Sequence, residues 1–422
     1  MPGLRPGLER IGVLLQAMDN PCKAYPSIHV AGTNGKGSVT LMIASVLQQA
    51  GYRVGRFISP HIHSYRERFL INGQEIEENL LKKYLQDIER KLEAIKGPAF
   101  AGVTEFELLT ALAFKYFKDE QVDLAVLETG LGGTYDSTNV VSPLLSIITG
   151  VDYDHQAYLG NSLEEIARNK AGIIKPGVPV IVGDMEREAY LIIEEKASSR
   201  NAPLYPGGAC RIQRRNRPSL DGQIVDVNGA GIKMEGIPFS LLGDFQLKNL
   251  AVAVTALMVL KQQGYNIAAE HMSQALAGLK HPGRMELVSE HPPIMLDVAH
   301  NPQAARALNR SLKSLFPGRQ RILVCGILDD KDSMAILREL GGDCRGCVVT
   351  RPEGERGANW QRLAEQWLSL YPDKEVRIKE EIETAVETGG KWLEAGEYLL
   401  VTGSFYVLDR ARAHFNEYLS YY

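Results

Sequence analysis

The sequence predicts an α/β protein of two domains, each built on a mainly parallel sheet, the first with a small β-rich elaboration. Three observations carry that reading. A chain of 422 residues is too long for one hydrophobic core. Short apolar runs alternate with helical patterns on both sides of a break at Pro282-Gly283, the mark of βα units. A glycine-rich turn from Ala31 to Ser38 leads the first apolar run into an amphipathic helix, as phosphate-binding loops of α/β proteins do. The boundary falls between 283 and 284, giving domains 1–283 and 284–422.

In the first domain, strands are expected at 28–30, 53–58, 122–127, 144–149 and 178–182, separated by helical stretches. Between Tyr205 and Leu242, short runs punctuated by Gly, Asn and Pro lack a helical period and read as the β-rich elaboration. Helices follow at 247–261 and 267–279, and His281-Pro282-Gly283-Arg284 reads as a linker. The second series, 294–298, 322–327, 347–350, 375–378 and 398–402, predicts a small Rossmann-like domain.

Composition narrows the partners. The apolar fraction of 45% and charged fraction of 23% are those of a soluble globular protein. A net charge of −4 without long like-charge runs argues against nucleic acid or an anionic membrane and for small-molecule substrates. Arg5, Glu9 and Arg10 precede any apolar run, unlike a signal peptide. The apolar stretch 250–260 is too short to cross a bilayer and is expected as a buried helix. Five cysteines in so long a chain make no disulfide framework, which predicts a cytoplasmic protein. Cys344-Arg345-Gly346-Cys347 has half-zinc spacing but no second pair, and it runs into Val348-Val349, so a structural role is expected.

The turn Gly32-Thr33-Asn34-Gly35-Lys36-Gly37-Ser38 is read as a phosphate loop. Its glycines let backbone N–H groups close round an anion, Lys36 can reach terminal phosphates and Ser38 can meet Mg²⁺. It departs from G-x-x-x-x-G-K-[ST], because Gly37 separates Lys36 from Ser38 and Val30 stands where the first glycine would be. Glu128 ends the run Val122 to Leu127 ahead of Thr129-Gly130-Leu131-Gly132-Gly133. A carboxylate at that strand end is placed to hold Mg²⁺, directly or through water.

Other residues leave two readings open. Ser59, before Pro60, suits a metal shell or a turn; His61 and His63 read as surface residues; Asp154-His155 suits a metal site or a hydrogen-bonded structural histidine. Ser162 and Glu165 form a capping box, after which Leu163, Ile166, Ala167, Lys170, Ala171 and Ile174 share one helical stripe. A lysine on that stripe snorkels, finds a partner, loses its charge, or is modified; carbamylation by CO₂ would make it a carboxylate-like ligand. Asp297-Val298-Ala299-His300-Asn301-Pro302 and Thr402-Gly403-Ser404 end strands of the second domain. A doubly wound sheet presents ligand loops there, and these are expected to face the nucleotide across an interdomain cleft.

Taken together, these motifs resemble the folylpolyglutamate synthase/dihydrofolate synthase branch of the Mur ligase superfamily, in its bacterial bifunctional form. The resemblance rests on the loop Gly32 to Ser38, Ser59-Pro60-His61, Glu67-Arg68 with Asn72-Gly73, the blocks 104–107 and 128–139, Asp154-His155, Lys170-Ala171-Gly172, Gln246 with Asn249, Pro282-Gly283-Arg284, 297–302 and 402–404. It implies a P-loop ATPase domain of Mur type followed by a Rossmann-like ligase domain. It also implies ATP-driven amide formation, in which a folate or pteroate carboxylate takes the γ-phosphoryl group and L-glutamate displaces phosphate.

By the same resemblance, Gly32, Thr33, Asn34, Gly35, Lys36, Gly37, Ser38, Asn249, Arg284 and Asp297 would contact ATP. Metal would be held by Ser38, Ser59, Glu128 and His155, with carbamylated Lys170 holding a second Mg²⁺, and a monovalent cation is a further candidate. Lys36, Lys170 and His300 would be catalytic. Ser59, Pro60, Thr104, Glu105, Phe106, Glu107, Tyr135, Asp136 and Ser137 would line the acceptor site, with His300 and Ser404 on the glutamate side. Three positions depart from the pattern: Thr134 stands where relatives often carry a basic residue, Asn169 where glutamate is common, and Val298 where glycine is common.

The alternatives are a chain-extending folylpolyglutamate synthase only, a Mur-like ligase with another carboxylate acceptor, and a nucleotide-binding regulatory module. A cell-wall Mur ligase would need a domain ahead of the phosphate loop, which begins at Gly32. A GTPase would want N-K-x-D, whereas Asn169-Lys170-Ala171-Gly172 lacks the aspartate. A monomer is expected.

Overall fold

The computed structural model describes residues 7–95 and 102–419; Arg5 and the last residues of the second expected domain lie outside them. Two compact units emerge. The first takes in the chain as far as Arg215 together with Ile224–Phe239 and Gln246–Leu279. The second takes in Asn216–Gln223, Ser240–Phe245 and the chain from Lys280 onward.

The strands in chain order are β1 Ser27–Ala31, β2 Val54–Phe57, β3 Phe69–Ile71, β4 Gln74–Glu75, β5 Leu124–Glu128, β6 Leu145–Ile148, β7 Val180–Val182, β8 Leu204–Pro206, β9 Cys210–Arg214, β10 Gln223–Gly229, β11 Ile232–Phe239, β12 Glu286–Glu290, β13 Pro293–Asp297, β14 Arg321–Cys325, β15 Cys344–Val349, β16 Glu375–Ile378 and β17 Tyr398–Thr402. The first unit holds an eight-stranded sheet in the order β4-β3-β2-β5-β1-β6-β7-β8. Its six strands from β2 to β8 pair in parallel. Strands β1, β5, β6 and β7 are buried at every position, because helices cover both faces; this is why their sequences are continuous apolar runs without alternation.

Strands β3 and β4 were not expected. They form an antiparallel hairpin around Asn72-Gly73, whose φ values of 49° and 75° are those of a primed two-residue turn. Strands of three and two residues are too short to show a period, so the turn dipeptide was their only signal. The elaboration is a three-stranded sheet, β11-β10-β9, while β8 joins the main sheet.

The second unit holds a six-stranded sheet, β12-β13-β17-β14-β15-β16, parallel apart from the added hairpin partner β12. The sequence did not announce β12, since Glu286, Ser289 and Glu290 break its apolar character and it lies half-exposed at the sheet edge. The apolar stretch 250–260 lies inside the buried helix Asp244–Gln262, and among the described residues no helix is long and apolar enough to cross a membrane. All five cysteines are free and buried. Cys344 and Cys347 lie within β15, which bears out a structural role for that pair.

Candidate active site

The phosphate loop begins where β1 ends. Its backbone is pinned from below: Thr33 N–H donates to Gly150 O at 2.9 Å, Thr33 Oγ1 donates to Asp152 O at 3.1 Å, and Thr149 Oγ1 donates to Asn34 O at 2.6 Å. Gly35 caps the helix Lys36–Gln49 with φ of 87°, and a Cβ there would stand 2.5 Å from Asn249 Oδ1. The loop is therefore packed against Asn249 on this side and leads into a helix N-terminus, where N–H groups and the helix dipole favour an anion. Lys36 Nζ folds back onto the carbonyls of Gly32 (3.1 Å) and Thr33 (3.3 Å). Ser38 is buried in the first helical turn.

Glu128 ends β5 and is buried. Register sets it beside Val30 of β1, and β2 lies on the other side with Phe57 opposite Leu127. Ser59, joined to Pro60 by a cis bond, follows β2 directly. Arg56, within β2, was missed in the sequence. Burial lowers its guanidinium to about 10, and the Glu128 charge opposes that fall. The available signal was a charge inside the apolar run Val54 to Phe57. His61 stacks near Tyr65, ring centroids 4.3 Å apart, and accepts at Nδ1 from Arg68 Nε at 2.9 Å.

The expected capping box of Ser162 and Glu165 opens the helix Leu163–Lys170, which delivers Lys170 to a buried position. Burial is the main cause that lowers its ammonium to about 7; Lys36 lowers it further, while Asp154 and Asp136 oppose. Lys36, Asp154 and Asp136 thus all act on Lys170. His155 caps the short preceding helix Gln156–Leu159 with φ of 50°, its N–H donating to Asp154 Oδ1 at 2.9 Å. Two of the departures meet here: Thr134 donates to Asn169 O through both N–H and hydroxyl, each at 2.9 Å, and Asn169 Oδ1 accepts from Gly133 N–H at 3.0 Å.

The acceptor candidates divide. Thr104 and Glu107 form a reciprocal capping box at the start of helix Glu105–Asp119, and the buried Glu107 carboxylate also meets Arg10 at 3.1 Å. Phe106 stacks on Phe57 with centroids 5.8 Å apart, and its ring lies so close to Gly130 that a Cβ there would come within 2.5 Å. Glu105 accepts from the exposed Tyr65 hydroxyl at 2.7 Å. Tyr135 is 58% exposed. Asp136 is buried; its Oδ2 accepts from Leu131 N–H at 2.8 Å and its Oδ1 from Thr138 N–H at 3.0 Å. Ser137 Oγ lies 2.9 Å from Thr110 Oγ1.

In the second unit, β13 and β17 are neighbours with Asp297 opposite Thr402, so their carboxyl ends bring the predicted residues together. Buried Asp297 accepts from Met285 N–H at 2.8 Å and Ala299 N–H at 2.9 Å. Its burial raises the carboxyl above the ordinary range, while the Arg284 charge opposes this. His300 donates from Nδ1 to Val298 O at 3.0 Å. Arg284 and His300 both approach the Phe405 ring, at 5.3 Å and 6.1 Å. Ser404 is buried and accepts from Tyr406 N–H at 3.2 Å.

Among the described residues no three His, Cys, Asp or Glu side chains gather as a metal group. The donors at the strand ends are a carboxylate and hydroxyls, hard oxygen ligands that suit Mg²⁺, with one imidazole, an unusual ligand for that ion.

Family models describe both units: residues 30–257 match the Mur ligase middle domain and residues 283–405 the glutamate ligase domain of Mur ligases. Fold and site together define a Mur-type ATP-dependent ligase. A dihydrofolate synthase/folylpolyglutamate synthase of Bacillus subtilis is 35% identical over 97% of this chain and 95% of its own, and the Escherichia coli enzyme of that name is 34% identical over 85% of this chain and 81% of its own. The chain belongs to the dihydrofolate synthase/folylpolyglutamate synthase family. Among solved structures, the Mycobacterium tuberculosis folylpolyglutamate synthase complexed with ADP and AMPPCP has a TM-score of 0.91 at 31% identity, covering 97% of this chain and 96% of that one. The Yersinia pestis bifunctional enzyme complexed with AMPPNP and a Mn ion has a TM-score of 0.85 at 32% identity, covering 98% and 95%.

Proposed function

We propose that the protein joins L-glutamate to dihydropteroate and to the γ-carboxylate of reduced folates, at the expense of ATP. The observation that carries this reading is the glycine-rich loop leading from β1 into the helix Lys36–Gln49, with Lys36 at the first helical position and the buried Glu128 paired beside Val30 of β1. An acceptor carboxylate oxygen attacks the γ-phosphorus, the bond to the β,γ-bridging oxygen breaks, and ADP leaves. The glutamate amine then attacks the acyl carbon, giving up a proton, and inorganic phosphate departs. Lys36 offsets charge on the transferring group and holds it in line, a task of electrostatics and positioning.

Relatives bound to ADP, AMPPCP and AMPPNP, one with a Mn ion, support a nucleotide and a divalent metal here. Ser38, Ser59, Glu128 and His155 are the proposed holders of Mg²⁺, which when bound withdraws charge from the phosphates. Asn249, Arg284 and Asp297 are assigned to the nucleotide, His300 and Ser404 to glutamate, and the segments Thr104 to Glu107 and Tyr135 to Ser137 to the acceptor, with Glu105 and Tyr135 exposed while the buried Glu107 and Asp136 hold the helix start and the turn. A neutral amine at Lys170 can attack CO₂, losing one proton to give a carbamate that holds a second Mg²⁺; a monovalent cation completes the set. We assign residues 1–283 to the ATP-binding domain and 284–422 to the ligase domain, although the compact units divide at Leu279 and Lys280, with 216–223 and 240–245 joining the second. We place the enzyme in the cytoplasm as a monomer acting on small molecules, apart from membranes and nucleic acids.

The test is product analysis with ATP, Mg²⁺ and labelled glutamate, offering dihydropteroate or tetrahydrofolate. ADP and phosphate must appear only when both acceptor and glutamate are present. AMP and pyrophosphate, or turnover without glutamate, overturn the reading.

A further inference from the structure

One buried polar thread is left over once the site residues are assigned. His29 lies in the middle of β1, three residues before the phosphate loop, with no exposed surface. Its Nε2 is 2.8 Å from Thr138 Oγ1, and the Thr138 hydroxyl donates to Asp136 Oδ1. A hydroxyl has one hydrogen, and that hydrogen goes to the carboxylate. The Thr138 oxygen is therefore the acceptor of the His29 contact, and the imidazole carries its proton on Nε2. Nδ1 meets no hydrogen-bond partner among the described residues. The ring is held neutral, since burial lowers it to about 3.

A neutral imidazole with one unpartnered nitrogen is an expensive occupant of a strand position that valine would fill at lower cost. Its one directional bond is what the position gains. That bond feeds Asp136, which closes the turn after Glu128 by accepting from Leu131 and Thr138 N–H groups. The same turn carries Tyr135 into solvent.

We infer that His29 is a positioning residue that acts through Thr138 and Asp136 to fix the acceptor-binding turn 130–137 against the strand bearing the phosphate loop. The inference rests on the ligase reading above. It separates two jobs for β1: its C-terminal end forms the nucleotide loop, and its centre sets the acceptor wall.

The test uses the full chain with Thr138→Val, His29→Leu, His29→Gln and the double variant Thr138→Val/His29→Leu. Loss of a directional bond in a buried network predicts that Thr138→Val and His29→Leu each raise KM for dihydropteroate or tetrahydrofolate about tenfold, with KM for ATP held within about twofold. The double variant matches the worse single, because both break one thread. His29→Gln, whose amide can donate to Thr138, recovers most of the loss. Amide exchange at Leu131 and Thr138 in the ADP-bound protein, which needs no turnover, quickens about tenfold in the two single variants while β13 to β17 stay as protected as before.

A lower melting temperature with both KM values and both amides unchanged reduces His29 to packing and overturns the inference. So does a rise in KM for ATP equal to that for the acceptor. Should His29→Leu fail to fold, Thr138→Val decides the matter. Absence of acceptor-dependent ADP in the native enzyme defeats the ligase reading instead, and the exchange rates at Leu131 and Thr138 still judge the thread.

Discussion

The side-chain oxygen of Asn249 fills the space beside the Cα of Gly35, so that a Cβ at position 35 would stand 2.5 Å from it. The helix Asp244–Gln262 and the phosphate loop are fitted to one another at that point. Gly35→Ala must displace Asn249 and hold φ of 87°, which costs an L-residue roughly 1–2 kcal/mol. We expect KM for ATP to rise by about tenfold or more and the melting temperature to fall; an unaltered KM for ATP would contradict the fit.

Lys36 is expected to act on the transferring phosphoryl group more than on ground-state binding. Lys36→Met should lower kcat by about 10³ while ADP affinity changes by about tenfold or less. Single-turnover kinetics with calorimetric ADP titration separates the two. Equal losses in both would assign Lys36 to binding alone.

Lys170 gives stability a pH dependence. Folded, its amine loses the proton at about 7, against an ordinary value of 10.5. Between those values the unfolded chain binds more protons, so stability rises with pH across that window and the full penalty is felt below 7. In bicarbonate-free buffer, Lys170→Met should therefore be more stable than the native chain near pH 6 and should lack the alkaline rise, yet be nearly inactive. Urea unfolding at pH 6, 8 and 9.5 checks this. A parallel pH dependence in the two proteins refutes it. In the native enzyme, added ¹³C-bicarbonate should give a carbamate carbon signal and restore activity lost on CO₂ depletion.

Acceptor scope follows from Tyr135 and the block Thr104 to Glu107. An exposed tyrosine offers a flat ring an aromatic face, and Glu105 retains a carboxylate at the surface. We expect turnover of both dihydropteroate and tetrahydrofolate. No detectable turnover of dihydropteroate at saturating ATP and glutamate would leave chain extension as the only activity.

The five cysteines are free and buried, and burial raises the thiols of Cys22, Cys210, Cys344 and Cys347. Such thiols are poor nucleophiles. A bulky disulfide reagent should label none rapidly in the native protein and all five after denaturation; fast labelling of any one would place it in an open state.

Much of this was written locally. The runs of β1, β5, β6, β14 and β17 are buried on both faces, so their apolar character shows without context. The capping box of Ser162 and Glu165 is a four-residue pattern that forms within one helical turn; the same pattern at Thr104 and Glu107 went unread. The hairpin β3–β4 and the added strand β12 escaped because a short or edge strand buries too little to shape its own sequence. Arg56 escaped for a related reason: what makes it notable is Glu128, and the two meet only through the pairing of β2 with β5.

By itself the sequence determined two α/β units, the phosphate loop and the strand ends that carry ligands, since each is fixed by periodicity, glycine placement and chain order over a few residues. Tertiary structure alone decided which side chains are spent and which are open. Glu107 and Asp136 have the same chemistry as Glu105, yet the first two are consumed in a helix cap and a turn while the third reaches the surface. Lys170 gives up its proton far more readily than a free lysine, and His29 points its one bonding nitrogen at Thr138, because burial and partner geometry are properties of the packed chain; no local pattern records the water that folding removes.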